Sequence, residues 1–139
     1  MTRYETIEKR LINLDIDKVR LKALNDELEL IELEYSLKGI AYDGIGGSDS
    51  ISDSTGDTAI ALAEKKIDIQ LKIARLTKEI EHMEGILSKL TDTERDTILL
   101  YYSKHKKYYV IAREVGYSIS QVKRIKKDAM DKIERGLYG

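Results

Sequence analysis

Apolar side chains recur every seven residues along the first part of the chain, which is the spacing of a coiled-coil helix. The main stripe is Ile7, Leu14, Leu21, Leu28 and Tyr35, with Tyr4, Leu11, Leu24 and Ile31 beside it. Because no glycine or proline interrupts it, the pattern predicts one helix over residues 2–38. A second stripe consists of Ile12, Ile16, Val19, Leu30, Leu33 and Leu37. The resulting wide apolar face indicates burial against more than one helix.

A second helix with the same spacing follows a polar segment. Residues 39–57 are rich in Gly, Ser and Asp and predict a loop, and Gly39 is expected to end the first helix. Residues 58–89 predict the second helix, whose stripe is Leu62, Ile69, Leu76, Met83 and Leu90. Together they predict a coiled-coil-like antiparallel helical hairpin over residues 1–90. The spare apolar surface either completes the core of one chain or joins two chains, and we expect a homodimer.

The last third of the chain loses this spacing and predicts shorter helices. Thr91 followed by Glu94 is a capping box, in which each side chain accepts a hydrogen bond from the other residue's backbone amide. It opens a helix whose inward residues are expected to be Ile98, Leu99 and Tyr102. A second box, Ser118 and Gln121, opens a final helix that runs towards Gly136.

Residues 108–127 fit the pattern of a helix-turn-helix motif. Ala112 is small where the two helices cross, and Gly116 ends the short helix over 108–115 with the positive φ that a tight turn needs. The apolar positions expected to close its core are Ile111, Val115, Tyr117, Val122 and Ile125. The chain is therefore predicted to be all-α, with a helix-turn-helix domain over residues 91–139.

The final helix and the segment before the motif carry the residue types that bind DNA. Successive helical residues are rotated by about 100°, which places four apolar residues on one side of the final helix: Val122, Ile125, Ala129 and Ile133. The opposite side, its flanks and the helix start present Ser118, Ser120, Gln121, Lys123, Arg124 and Lys127. Arg and Lys suit guanine edges, and Gln suits adenine. The candidates for phosphate contact, at the start of the short helix, are Lys104, Lys106, Lys107 and Tyr108. These residues predict double-stranded DNA as the partner.

Charge and composition agree with that prediction. The net charge of −1 conceals an acidic part, with 13 Lys+Arg against 18 Asp+Glu in residues 1–90, and a basic part, with 11 against 7 in residues 91–139. A basic module on an acidic remainder points to a polyanion. The chain has no cysteine and only two histidines, His82 and His105, neither at metal-ligand spacing. No nucleophile–base–acid pattern is present, so we expect no enzyme activity, no metal and no cofactor.

Residues 90–137 resemble region 4 of the sigma-70 family of bacterial RNA polymerase subunits. The residues that carry the resemblance are Leu90, Thr91, Asp92, Thr93, Glu94, Arg95, Ile98, Leu99, Tyr102, Ile111, Ala112, Gly116, Tyr117, Ser118, Val122 and Ala129. In that family the last helix reads promoter −35 elements. The chain shows no counterpart of the other sigma regions, which melt promoters.

The whole chain is similar to the small RinA/ArpU-type late-transcription regulators of phages of Gram-positive bacteria. Those proteins join a long helix, a Gly/Ser loop, a second long helix and the same terminal module. Tyr108 and Tyr109 stand here where a tryptophan commonly precedes the Ile-Ala pair. The resemblance implies a regulator acting at promoters in the cytoplasm of a bacterial host, with RNA polymerase as a further partner. The chain has neither the apolar core of a signal peptide nor a run long enough to span a membrane.

Two alternatives stay open at this point. A phage small terminase subunit also joins a helix-turn-helix to an oligomerising helical region, but it packages DNA. An adaptor that binds RNA polymerase or a sigma factor would use the same module with little DNA contact. A ring of many subunits would favour packaging, and a dimer on a promoter would favour transcription.

Overall fold

The computed structural model describes the backbone of residues 1–44 and 53–139, and the side chains of residues 1–37 and 58–139. Its elements are α1 (Arg3–Gly44), α2 (Asp53–Leu87), α3 (Asp92–Ile98), a π-helical turn (Leu99–Ser103), α4 (Tyr108–Val115) and α5 (Ile119–Tyr138). Every regular element in these ranges is helical, which confirms the all-α prediction. None of the described helices combines the length and apolar character that crossing a membrane requires.

The two long helices extend into the segment expected to be a loop. α1 continues to Gly44, so the prediction that Gly39 ends it is wrong, and α2 already begins at Asp53. One glycine inside a helix costs about 1 kcal/mol, which the helix formers around it can offset. The remainder of the expected loop, residues 45–52, lies outside the described residues.

The described chain forms two compact units, whose division differs from the expected boundary at residue 90. The first unit contains Met1–Lys18 and Lys78–Gly139, and the second contains Val19–Thr77. The start of α1 belongs with the helix-turn-helix because its apolar side chains need burial. Ile7 and Leu11 are fully buried, and the Ser103 hydroxyl donates a hydrogen bond of 3.0 Å to the Leu11 carbonyl oxygen.

The second unit has a small core between α1 and α2. Its buried residues are Ile31, Leu62 and Ile69, with Leu24, Leu28 and Ile73 packed against them. An ion pair between Lys66 and Glu32, 3.6 Å apart, also joins the two helices. Many other large apolar side chains of this unit face solvent: Val19, Leu30, Leu33, Tyr35, Leu37, Ile60, Ile67 and Leu71.

The first unit builds the predicted helix-turn-helix on two capping boxes. The Thr91 hydroxyl accepts from the Glu94 amide at 3.2 Å, while the Thr91 amide donates to Glu94 Oε1 at 3.0 Å, so the predicted start of α3 is confirmed. α4 begins and ends as predicted, and Gly116 follows it with a φ of 78°. The fully buried residues around these helices include Ile98, Ile111, Val122, Ala129 and Ile133.

Four expected core positions differ: Tyr117 is exposed, and Leu99, Val115 and Ile125 are half-buried. Tyr117, which the pattern assigns to the core, is 43% exposed, because it lies in the turn between the left-handed Gly116 and the start of α5. Leu99 is only half-buried, at the start of the π-helical turn, whereas Tyr102 is buried as predicted. The motif core therefore rests on fewer side chains than the pattern alone indicates.

Candidate nucleic-acid interface

α5 separates a buried side from a cationic side. Val122, Ala129 and Ile133 are fully buried. Away from that side, the exposed predicted residues of the helix are Ser120, Gln121, Lys123, Arg124 and Lys127. Ile125 is half-buried between the two sides. The arrangement leaves one polar strip along the first half of the helix.

The start of α5 is held by Ser118 and Gln121 together. The Ser118 hydroxyl accepts a hydrogen bond of 3.2 Å from the backbone amide of Gln121, and the backbone amide of Ser118 donates one of 3.0 Å to Gln121 Oε1. Recognition of adenine by a glutamine uses both its carbonyl oxygen and its amide nitrogen. Because Gln121 Oε1 already accepts a hydrogen bond within the capping box, these two residues serve to fix the start of the helix.

The basic residues before α4 divide into a paired one and two unpaired ones. Lys104 Nζ lies 3.0 Å from Asp15 Oδ2, so a carboxylate already offsets its charge. Lys106 and Lys107 are exposed, and neither forms an ion pair with any residue that the structure describes. The same holds for Lys123, Arg124 and Lys127 on α5. These five cations are available to an anionic partner.

A left-handed residue directs the chain into α4. His105 has a φ of 55°, a conformation that histidine adopts more readily than most residues other than glycine. The Lys106 amide then donates to the Leu100 carbonyl oxygen at 2.9 Å. Lys107 is the N-cap of α4 but supplies no side-chain cap to it. The first backbone N–H groups of α4 therefore have no side-chain acceptor at the N-cap. Lys106 and Lys107 stand directly before them in the chain.

A cluster of tyrosines around Lys126 links α5 to the preceding elements. The Lys126 ammonium lies 4.0 Å from the Tyr101 ring centroid and 5.2 Å from that of Tyr102. It also donates a hydrogen bond of 3.2 Å to the Tyr108 hydroxyl. The Tyr101 and Tyr108 rings are 5.0 Å apart. No sequence pattern points to this cluster, because Lys126 stands far along the chain from the tyrosines and resembles its basic neighbours.

Burial and hydrogen bonds together shift the pKa values of this cluster. Burial alone would lower the pKa of Lys126, but the hydrogen bond to Tyr108 and the nearby phenols raise it above the ordinary value. A separate hydrogen bond, between the side chains of Tyr101 and Tyr108, raises the pKa of Tyr101, and burial raises it further. Burial, with Tyr4 and Glu8 nearby, raises the pKa of Tyr102 further still. Lys126 therefore stays a cation among neutral phenols at neutral pH.

Tyr108 has an internal role in this arrangement. Its hydroxyl accepts from Lys126, and its ring lies 5.2 Å from the ammonium of Lys123. The predicted DNA contact at Tyr108 would therefore compete with contacts inside the protein. Among the described residues, no group of His, Cys, Asp and Glu comes close enough together to hold a metal ion.

Comparison with known protein families gives a match. A family model described as "Protein of unknown function (DUF722)" matches residues 23–135, a range that reaches from α1 to the last turns of α5. No curated protein and no solved structure matches the chain. Since the matched range covers most of its length, the chain belongs to the DUF722 family.

Proposed function

We propose that the chain is a sequence-specific DNA-binding transcription regulator, phage- or prophage-encoded, that acts at promoters as a homodimer in the cytoplasm of a bacterial host. The observation that carries the proposal is the α4–Gly116–α5 motif, whose second helix buries one side and exposes a cationic strip on the other. In helix-turn-helix proteins the second helix enters the major groove with its first residues near the base edges. The likeness to sigma region 4 and to the RinA/ArpU-type regulators supports the same use of this helix.

The exposed strip has the geometry that reading a groove requires. Ser120, Arg124 and Lys127 are spaced by four and three residues, so they follow one line along the first half of α5. Arg124 lies one turn into the helix, where a guanidinium can donate two hydrogen bonds to a guanine edge. Lys127, further along, is placed for the phosphate backbone.

The lysines before α4 supply a second contact with the backbone. Lys106 and Lys107 are exposed at the N-terminus of α4, where cations and free amides together favour a phosphate. Phosphate contacts of this kind position the recognition helix but carry no sequence information. The basic balance of residues 91–139 adds a long-range attraction to the duplex. The proposed function needs no catalytic group and no cofactor. RNA polymerase is the proposed protein partner.

Binding of the full chain to duplex DNA tests this proposal. The triple variant Lys123→Ala, Arg124→Ala, Lys127→Ala should lose about 100-fold or more in affinity at moderate salt, since each contact contributes about 1–3 kcal/mol or one counterion. The matched control removes the same charges from α2, through Lys65→Ala, Lys78→Ala and Arg75→Ala, which are also exposed. It should bind within about threefold of the unchanged protein.

Two results would contradict the assignment. Equal losses in both triple variants would show a non-specific charge effect, and unchanged affinity in the α5 variant would show that another surface binds. Light scattering on the same samples distinguishes a transcription regulator from a DNA-packaging subunit by the number of chains in the assembly. A dimer fits the regulator, whereas a ring of many subunits fits a small terminase subunit.

A further inference from the structure

The second compact unit carries an apolar stripe on the side of α1 that faces away from its core. Val19 is 70% exposed and Leu30 is 61% exposed, and Leu33 and Leu37 are exposed as well. In contrast, Ile31 is 4% exposed within the core shared with α2. Because successive residues turn by about 100°, the exposed set lies opposite Leu24, Leu28 and Ile31. The core of this unit therefore leaves a whole side of α1 uncovered.

The exposed stripe keeps the register of a coiled-coil seam. Its positions, spaced alternately by four and three residues, are Val19, Ala23, Asp26, Leu30, Leu33 and Leu37. Only Asp26 is polar. A seam of this kind, presented to solvent, has the pattern that a second helix packs into. An exposed apolar patch of several side chains is also a common mark of an interaction surface.

The charged residues beside the seam differ between its two halves. Arg20 and Lys22 flank the first half, while Glu27 and Glu29 flank the second half. All four side chains are exposed. Two such helices in antiparallel orientation bring the basic half of each against the acidic half of the other. The charge pattern is thus complementary to itself under a two-fold rotation.

We propose that the partner on this seam is α1 of a second copy of the chain, in antiparallel orientation. Val19 then faces Leu30 of the second copy, and Ala23 faces its Asp26. This register also brings Arg20 opposite Glu27 and Lys22 opposite Glu29, each pair formed twice by symmetry. It deepens the proposed function, because it rests on the homodimer and names its interface.

Asp26 decides the orientation. A parallel pairing in register would place the Asp26 carboxylates of both copies in one layer of the seam, where like charges repel. It would also bring Glu29 opposite Glu34. In the antiparallel register each Asp26 meets the small Ala23, which leaves space for water at the carboxylate. The sequence at the centre of the seam therefore favours one orientation.

Crosslinking of single-cysteine variants tests the arrangement, since the chain has no cysteine of its own. Val19→Cys and Leu30→Cys are prepared as separate full-length proteins with tags of different mass. They are then mixed and treated with a short bis-maleimide. The antiparallel register predicts that the mixed dimer is the main crosslinked product. In a dimer of Val19→Cys alone the two thiols would stand about 16 Å apart along the axis, so either variant alone should crosslink weakly.

Efficient crosslinking of Val19→Cys with itself would overturn the orientation, and a mixture that gives no mixed product would overturn the interface. A charge exchange supplies the second test. Lys22→Glu should weaken the dimer about tenfold, and adding Glu29→Lys to the same chain should restore it, whereas Lys65→Glu on α2 should change nothing. Failure of the double variant to recover would also overturn the pairing.

These readouts do not depend on DNA. A protein that dimerises differently and still binds duplex through α5 would overturn this interface and leave the proposed function in place. A protein that stays monomeric and binds duplex through α5 would overturn the homodimer and leave the DNA-binding role in place. Loss of DNA binding with the predicted crosslinks intact would do the reverse.

Discussion

The ammonium of Lys126 lies 4.0 Å from the centre of the Tyr101 ring, so one of the four cations on the first half of α5 faces the protein instead of the solvent. Its neighbour Lys127 is exposed. Two adjacent lysines of the same helix are therefore expected to have separate roles, the first in stability and the second in binding.

Substitution of these two lysines separates the roles. Lys126→Ala loses the contacts with the tyrosine rings and the hydrogen bond to Tyr108, so the free energy of unfolding should fall by about 1–2 kcal/mol. Lys127→Ala should change it by less than about 0.5 kcal/mol but weaken DNA binding. Urea unfolding followed by circular dichroism measures the difference. Equal destabilisation by both substitutions would show that the cluster does not hold α5.

Gly116 and Gly85 form a second matched pair. A Cβ added at either position would meet nothing within 4 Å, so neither substitution creates a clash. Gly116 has a φ of 78°, where an L-residue is strained, and Gly116→Ala should destabilise the protein by about 1 kcal/mol or more. Gly85 lies inside α2, where Gly85→Ala should stabilise it by about 0.5–1 kcal/mol. Thermal unfolding tests the opposite signs; a loss of stability at both positions would contradict this account.

The capping box at α3 should make stability depend on pH. Burial alone would raise the pKa of Glu94, but hydrogen bonds from Lys132 and Thr91 outweigh it and hold the pKa below the ordinary 4.5. Lys132 Nζ lies 2.8 Å from Glu94 Oε1. Because the folded pKa is the lower one, the stabilisation is complete above about pH 4.5 and is lost as the pH falls through the folded value.

The variant Glu94→Gln removes this dependence. Its melting temperature should lie below that of the unchanged protein at pH 7, and the two should converge as the pH falls towards 3. Asp92→Asn is the control, because Asp92 is in the same first turn and its side chain is 90% exposed. It should have little effect at either pH. A gap for Glu94→Gln that stays constant from pH 7 to pH 3 would contradict the assigned pKa.

Local sequence signals predicted the helix-turn-helix closely. The two capping boxes, Gly116 and the bounds of α4 all depend on residues within a few positions of each other, so a pattern can detect them. The same reasoning failed at Gly39, where the pattern predicts an end to a helix that continues to Gly44. A helix end depends on the sum of its neighbours' preferences, which one residue does not determine.

The sequence pattern could not predict contacts between residues that are far apart in the chain. The pairing of Lys104 with Asp15 and the position of Lys126 among tyrosines join residues that no spacing rule connects. They change the candidate interface, because Lys104 and Tyr108 are engaged within the protein. The exposed residues left for DNA, Arg124 above all, follow from helix periodicity because Val122, Ala129 and Ile133 bury the opposite side of α5.

The sequence preference of two point variants tests the central claim most directly. A preferred duplex is first selected from a random pool with the full chain, and affinities are then measured on that duplex and a scrambled one at two salt concentrations. Arg124→Ala should cost about 1–3 kcal/mol on the preferred duplex and almost nothing on the scrambled one. Lys107→Ala should weaken both alike and reduce the salt slope by about one ion. Equal losses on both duplexes for Arg124→Ala, with folding intact by circular dichroism, would contradict a base-reading α5.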